Sequence, residues 1–100
     1  MKFQLVIQFP ERIMDFERMV ELEESMIKAL QGEAQIDGHD IGSGEINFFL
    51  FTDDPEGTFK RVTGLLDDKM MKVLKVAYRD VAGQEYVILW PKGLRKFRVK

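Results

Sequence analysis

The stretch Ile46–Phe51 constrains the fold of this chain more than any other segment. Its sequence, Ile-Asn-Phe-Phe-Leu-Phe, is apolar at every position but one. Such a nearly continuous apolar run is typical of a strand in the middle of a sheet, where both faces are covered. A glycine-rich turn, Ile41–Gly44, precedes it, and Asp53–Glu56 follows with the aspartate cap, proline and early acid of a helix start. We therefore predict a central strand over Glu45–Thr52.

The other elements follow from the periodicity of apolar residues. Alternation with period two indicates strands that bury one face, and apolar residues that recur every three or four positions indicate helices. Proline and glycine mark the ends of these segments. The predicted elements are, in chain order, a strand over 2–9, a helix that begins between Pro10 and Asp15 and ends at Gly32, a strand over about 34–40, the strand over 45–52, a helix from Pro55 to about Met70, and strands over 73–81 and 85–90.

The order of these elements is β-α-β-β-α-β with one strand added at the end. This is the split βαβ pattern of a ferredoxin-like sandwich, an α+β fold in which two helices cover one face of an antiparallel sheet. The first and third strands are central in that pattern, and they are also the two most apolar strands of this chain. A chain of 100 residues has room for one modest core, so we predict a single domain over residues 1–100.

Charge and residue usage exclude several classes of function. The chain has no cysteine and one histidine, which excludes disulfides, thiolate metal sites and a cysteine nucleophile. Residues 92–100 carry five basic and no acidic residues, whereas residues 1–91 carry ten basic and seventeen acidic residues. An acidic body is unfavourable for a nucleic-acid groove, which needs clustered lysine and arginine. No apolar run approaches the ~20 residues that span a membrane, and no signal-peptide pattern is present, so we expect a cytoplasmic protein.

The segment Asp37–Glu45 contains the most unusual group of side chains. It brings the only histidine, His39, within nine positions of three carboxylates, those of Asp37, Asp40 and Glu45. Such residues can contact a partner or ligand, hold a metal or act as an acid–base pair. However, alternation along a strand sends Asp37 and His39 to one face and Asp40 to the other, and the glycines suit a tight turn. We therefore treat these four as candidate contact residues and assign no catalytic residue, metal or cofactor.

Glu23 is a further candidate because a helical wheel places it within the apolar stripe of the first helix. A carboxylate there is costly unless it is paired or hydrogen-bonded, so it suits a group that holds a ligand or transfers a proton. The alternative is a helix rolled toward Leu22, which places Glu23 at the rim of the core. The predicted stripe contains Phe16, Met19, Val20, Met26, Ile27 and Leu30.

The sheet face away from the helices is the third candidate site. One assignment of the third strand places Asn47 and Phe49 on this face, beside Arg79 of the fourth strand. A protein partner, or a second copy of the chain, is a suitable cover for such a half-apolar face. The alternative is that the C-terminal segment of the same chain, which contains Phe97, covers it.

Four stretches, Asp37–Asn47, Thr52–Pro55, Ala77–Arg79 and Leu89–Pro91, resemble those of a set of small uncharacterised bacterial proteins. These proteins share an aspartate-glycine turn, Gly-Ser-Gly-Glu, a Thr-Asp-Asp-Pro helix start and a late Trp-Pro. The resemblance covers about residues 15–98 and implies a bacterial protein, and it adds no catalytic residue. Small acidic bacterial proteins of this size also resemble immunity proteins, which neutralise a toxin by covering its site.

These observations favour a non-catalytic protein-interaction domain, immunity-like or regulatory, whose target is a protein partner or a second copy of the chain. The alternative is a small metal- or ligand-binding protein, or an enzyme, that uses the hairpin Asp37–Glu45. Catalysis is the less favoured class because the chain has no cysteine and one histidine. Neither nucleic acid nor a membrane is an expected partner. The sequence leaves open which partner is bound and whether the chain forms a homodimer.

Overall fold

The computed structural model describes residues 1–99, which form an α+β fold built on a five-stranded antiparallel sheet. The strands are β1 (Phe3–Pro10), β2 (Ala34–Gly42), β3 (Glu45–Thr52), β4 (Lys75–Asp80) and β5 (Val87–Trp90), in the spatial order β2-β3-β1-β4-β5. The helices are α1 (Phe16–Ala29), α2 (Pro55–Thr63) and α3 (Asp68–Val73), and a 3-10 turn over Glu11–Ile13 precedes α1. Strands β1 and β3 lie side by side at the centre, and β5 extends the sheet beyond β4. The predicted ferredoxin-like fold class is therefore confirmed.

The core lies between the helices and the face of the sheet that carries Leu5, Ile7 and Phe9. Opposite residues of antiparallel strands share a face, so Phe48 lies beside Ile7 and Leu50 beside Leu5. All five side chains are fully buried. Helix α1 adds Met19, Leu22, Met26 and Leu30 to the same cluster. Because each buried side chain of this size contributes about 1.5–3 kcal/mol, this layer is the main source of stability.

Helix α1 is rolled relative to the stripe predicted from the sequence. Its buried residues include Met19, Leu22 and Met26. Phe16 and Ile27, which were predicted to lie in the buried stripe, are 65% and 47% exposed. That prediction is wrong because the buried stripe of α1 is centred nearer to Leu22 than the predicted stripe. Phe16 and Ile27 therefore lie outside the buried stripe and face outward on the flank of the helix.

The predicted second helix is divided into α2 and α3. Asp54 begins α2 by accepting a hydrogen bond from the backbone N–H of Gly57 at 3.1 Å, as expected from the sequence. Asp67 begins α3 by accepting one from the backbone N–H of Met70 at 2.9 Å. An aspartate that caps a new helix competes with continuation of the previous one, so the break falls just before this cap. As a result Val73 ends α3 and does not begin the next strand.

The sheet face opposite the helices is covered in part by the C-terminal segment, residues 91–99. Val6 and Ala77 face each other across β1 and β4 on this side, and both are fully buried. Gln8, on the same side, donates a hydrogen bond to the backbone oxygen of Arg98. The chain's own C-terminal segment, one of the covers expected from the sequence, thus contacts this face. Lys100, the last basic residue of the tail, lies outside the described residues.

Candidate functional site

Three large apolar side chains are exposed on helix α1 and the outer strand β2. Phe16 and Ile27 on α1 are 65% and 47% exposed, and Ile41 on β2 is 41% exposed. Phe16 and Ile41 line one cleft of about 260 Å³, together with Met14 and Met19. We call Phe16, Ile27 and Ile41 the α1–β2 patch. Exposed apolar side chains that share a cleft, as Phe16 and Ile41 do, are typical of interaction sites, and Ile27 is exposed further along the same helix.

Glu23 and His39 form a polar contact beside this patch. Oε2 of Glu23 lies 2.8 Å from Nδ1 of His39, and the two side chains are 21% and 32% exposed. His39 reaches α1 because the sheet register places it opposite Phe48, on the helix side. Glu23 lies at the rim of the core, which is the geometry expected of a helix rolled toward Leu22. The sequence analysis identified both residues as unusual but did not predict that they are in contact. The signal for the contact was that the first helix packs on the sheet beside the strand that contains His39.

The other candidates on the β2–β3 hairpin are dispersed. Strand β2 bulges near Asp37, so the unbroken alternation that placed Asp37 on the face of His39 does not hold. Asp40 lies opposite Asn47, on the sheet side away from the helices, and Glu45 begins β3 on that side too. Among residues 1–99, no three His, Cys, Asp or Glu side chains lie close enough together to hold a metal ion. The metal-binding alternative thus has no cluster of ligands in the part of the chain that is described.

The turn between β2 and β3 is built from Ser43 and Gly44. Their φ angles are 54° and 80°, so both lie in the left-handed region. A two-residue hairpin turn of this kind requires positive φ at both central positions, which explains the glycine at position 44. Gly42 lies in β2 and does not have a positive φ, so the turn accounts for Gly44 but not for Gly42.

The candidates on the open sheet face have partners within the chain itself. Asn47 is 1% exposed, and its Oδ1 accepts a hydrogen bond from Nε2 of Gln8 at 2.9 Å. Nη1 of Arg79 donates to three backbone oxygens of the turn over residues 80–83, at 3.1–3.2 Å. Phe49 is half-buried. Arg79 therefore holds the turn after β4, and Asn47 lies beneath the surface of the folded chain.

The α1–β2 patch lies in the acidic part of the chain. Residues 11–45 contain ten acidic and three basic residues, a net charge of −7 with His39 neutral. Residues 1–91 as a whole also have a net charge of −7, so the acidic character is concentrated in these elements. The exposed acids of this segment are Glu11, Asp15, Glu17, Glu21, Glu24, Glu33, Asp37 and Asp40. Of these, Glu21 and Glu33 form ion pairs, and Asp40 lies on the other side of the sheet.

The fold and this surface define a small α+β domain with an exposed acidic and apolar side. No family model matches the chain, and no curated protein or solved structure matches it either. None of the helices formed by residues 1–99 has the length and apolar character needed to cross a membrane. The function is therefore inferred from the geometry and charge of the described residues.

Proposed function

We propose that this chain is a protein-interaction domain that binds a basic partner protein through the α1–β2 patch. The observation that carries the proposal is the exposure of Phe16, Ile27 and Ile41 within a segment of net charge −7. Burial of apolar surface favours binding, by about 25 cal/mol per Å². The surrounding carboxylates attract a partner of opposite charge and speed its association. In this proposal the partner protein docks on α1 and the β2–β3 hairpin, whereas the C-terminal segment of the chain lies on the open sheet face.

The acidic charge also favours a different protein over a second copy as the partner. In a symmetric dimer, the same surface of both copies meets at the interface. Two acidic surfaces would then repel each other, whereas a basic surface complements them. An immunity-like or regulatory protein that covers a basic surface of its target fits this description.

The outer edge of β2 is a less suitable contact than the side chains of the patch. Strand β2 is an outer strand and pairs with β3 alone among the strands of residues 1–99. Its bulge and the exposed Asp37 and Asp40 are features by which edge strands avoid pairing with other chains. We therefore expect the partner to dock on side chains and not to extend the sheet.

Two substitutions at matched positions test this assignment. Ile41→Gln removes an apolar contact from the patch, and Val87→Gln makes a similar change on β5, the outer strand at the other edge, where Val87 is 49% exposed. Each variant serves as bait for affinity purification from cells of the source organism. We expect Ile41→Gln to lower recovery of the partner at least about tenfold, a change of about 1.4 kcal/mol, while Val87→Gln retains it. Recovery is expected to fall as salt screens the acidic surface.

Folding of both variants is checked by thermal unfolding. Both positions are exposed, so each substitution is expected to change the free energy of unfolding by no more than about 0.5 kcal/mol. Equal loss of the partner from both variants would contradict the assignment to the α1–β2 patch. An acidic partner would contradict the assigned charge complementarity.

A further inference from the structure

A second cleft lies on the other side of the sheet, between the C-terminal segment and the open face. Its volume is about 340 Å³. It is lined by Gln8, Ser43, Glu45, Lys75, Lys96 and Arg98, with the ring of Phe97 beside them. Polar and charged side chains from β1, β3, β4 and the C-terminal segment therefore converge here, far apart in sequence.

Three cations and one carboxylate line this cleft. Among residues 1–99, none of Lys75, Lys96 and Arg98 forms an ion pair within 4.0 Å. Among the lysines and arginines of residues 1–99, Arg18 and Arg61 form ion pairs and the others do not, so the cleft is distinguished by three cations that line one concave surface. An excess of unpaired cations around a concave surface attracts a small anion.

The wall of the cleft is held in place by buried contacts. Gln8 is 2% exposed, and its Nε2 donates to the backbone oxygen of Arg98 at 2.7 Å and to Oδ1 of Asn47 at 2.9 Å. The ring of Phe97 packs edge-on against Tyr86, with centroids 5.0 Å apart. These contacts fix the segment that carries two of the three cations. A ligand therefore meets a site whose wall is already ordered, which lowers the entropic cost of binding.

The same contacts leave one buried donor without an acceptor. The side-chain amide of Gln8 is oriented so that Nε2 donates one of its two N–H groups to the backbone oxygen of Arg98. The second N–H group of Nε2 then points toward Asn47. Asn47 then turns its Oδ1 toward Gln8, and its Nδ2 has no hydrogen-bond partner among residues 1–99. Buried donors of this kind are rare and unfavourable. Asn47 is the neighbour of Gln8 but does not line the cleft, so this arrangement shows how Gln8 is oriented and does not by itself mark where a ligand binds.

We propose that this cleft binds a phosphate group, either free phosphate or the phosphate of a small organic monoester. A phosphate dianion offsets the excess of cations and offers several acceptor oxygens to Lys75, Lys96 and Arg98. The hydroxyl of Ser43 is a further donor at the rim. The ring of Phe97 gives the apolar part of an ester a surface to pack on. This site is separate from the α1–β2 patch and does not depend on the proposed protein interaction.

Two lysines of the C-terminal segment form a matched pair for the test. Lys96 and Lys92 are both exposed, and Lys96 alone of the two lines the cleft. The full chain and the variants Lys96→Ala and Lys92→Ala are titrated with inorganic phosphate and then with phenyl phosphate, followed by ¹H–¹⁵N NMR. We expect saturable shifts at the Gln8 side-chain amide and at residues 43–45 and 96–98. Lys96→Ala is expected to weaken binding about fivefold, the contribution of one charge pair in water, and Lys92→Ala less than about twofold.

The two phosphates distinguish the sources of the ligand. Tighter binding of phenyl phosphate supports a small organic phosphate, and tighter binding of inorganic phosphate supports the free ion. Acetate at equal ionic strength is the control anion and is expected to give no saturable shifts at these residues. The proposal is overturned if no saturation is seen up to about 20 mM, where a millimolar site would be filled. It is also overturned if Lys92→Ala and Lys96→Ala weaken binding equally, since that result reports general attraction to the basic tail.

Discussion

At the scale of single residues, Gln8 links the C-terminal segment to the sheet. It is 2% exposed, and its Nε2 donates both to Arg98 and to Asn47. A buried glutamine in a central strand is unfavourable unless its amide is hydrogen-bonded. The C-terminal segment supplies one of those bonds, so the strand and the tail depend on each other.

Replacing Gln8 with leucine is expected to lower the free energy of unfolding by about 1–3 kcal/mol. The substitution leaves Oδ1 of Asn47 and the oxygen of Arg98 without their donor, which is the cost of an unpaired buried group. Gln4→Leu is the matched control, because Gln4 lies on the same side of β1, is half-exposed, and makes no side-chain hydrogen bond with residues 1–99. Urea unfolding of the two variants measures the difference. Equal stability of the two variants would show that the tail is not held through Gln8.

Single-residue contacts are also where sequence reasoning reaches its limit. Glu23 and His39 were each identified as unusual, the first by its place on the helical wheel and the second as the only histidine. Their contact depends on how far α1 rolls and on the bulge in β2. The roll depends on how Leu22 packs in three dimensions and the bulge on how β2 pairs with β3, and the spacing of residues in the sequence specifies neither.

At the scale of elements, the C-terminal segment acts as a cover for the sheet although it contains no strand. Val6 and Ala77 beneath it are fully buried, and Phe97 packs on Tyr86. An aromatic side chain supplies a large apolar contact area for a segment without regular hydrogen bonding. The aromatic and basic composition of the tail therefore serves two purposes, attachment by Phe97 and a positive charge on this side.

Two phenylalanine substitutions separate attachment of the tail from partner binding. Phe97→Ala is expected to lower the free energy of unfolding by about 1–2 kcal/mol, less than the 3–5 kcal/mol of a fully buried phenylalanine because Phe97 is half-buried. Phe16→Ala is expected to change it by less than about 0.5 kcal/mol, since Phe16 is 65% exposed at the start of α1. Partner binding is expected to show the reverse order, with Phe16→Ala the more damaging. Chemical unfolding and affinity purification of both variants check the two orders, and a larger loss of stability in Phe16→Ala would contradict them.

The elements that the sequence predicted well are those with strong local signals. Strand β3 has its apolar run, and α2 has its Asp-Pro start. The predictions were least accurate at the ends of the last two strands, which were expected over 73–81 and 85–90. Val73 belongs to the end of α3 and not to the following strand. The connection between β4 and β5 is longer than the three residues expected, and hydrogen bonds from Arg79 stabilise it. The Asp67 cap of α3 and the hydrogen bonds of Arg79 thus determine where the last strands begin and end. These effects depend on three-dimensional contacts and cannot be read from the periodicity of apolar residues.

At the scale of the whole molecule, charge is unevenly distributed. Residues 11–45 have a net charge of −7, although Asp40 and Glu45 of this segment lie on the open side of the sheet, and the tail over residues 92–100 carries five basic residues. Composition alone separates an acidic body from a basic tail. It does not show that the tail lies on the open sheet face, away from the acidic α1 and β2, because that placement depends on the contacts of Gln8 and Phe97.

This uneven distribution of charge is the basis for proposing different ligands at the two sites. The acidic side has exposed apolar residues and suits a basic protein surface. The basic side has a cleft of about 340 Å³ and suits a small anion.

Hydrogen–deuterium exchange of the chain alone and bound to its partner tests directly whether α1 and β2 form the interaction surface. We expect slower exchange in the bound chain over residues 14–27 and 34–42, because docking on Phe16, Ile27 and Ile41 shields these backbone amides from water. Residues 75–80 and 87–99 are expected to exchange at the same rate in both states. Slower exchange confined to residues 75–99, with β2 unchanged, would contradict the account and place the partner on the opposite side of the sheet.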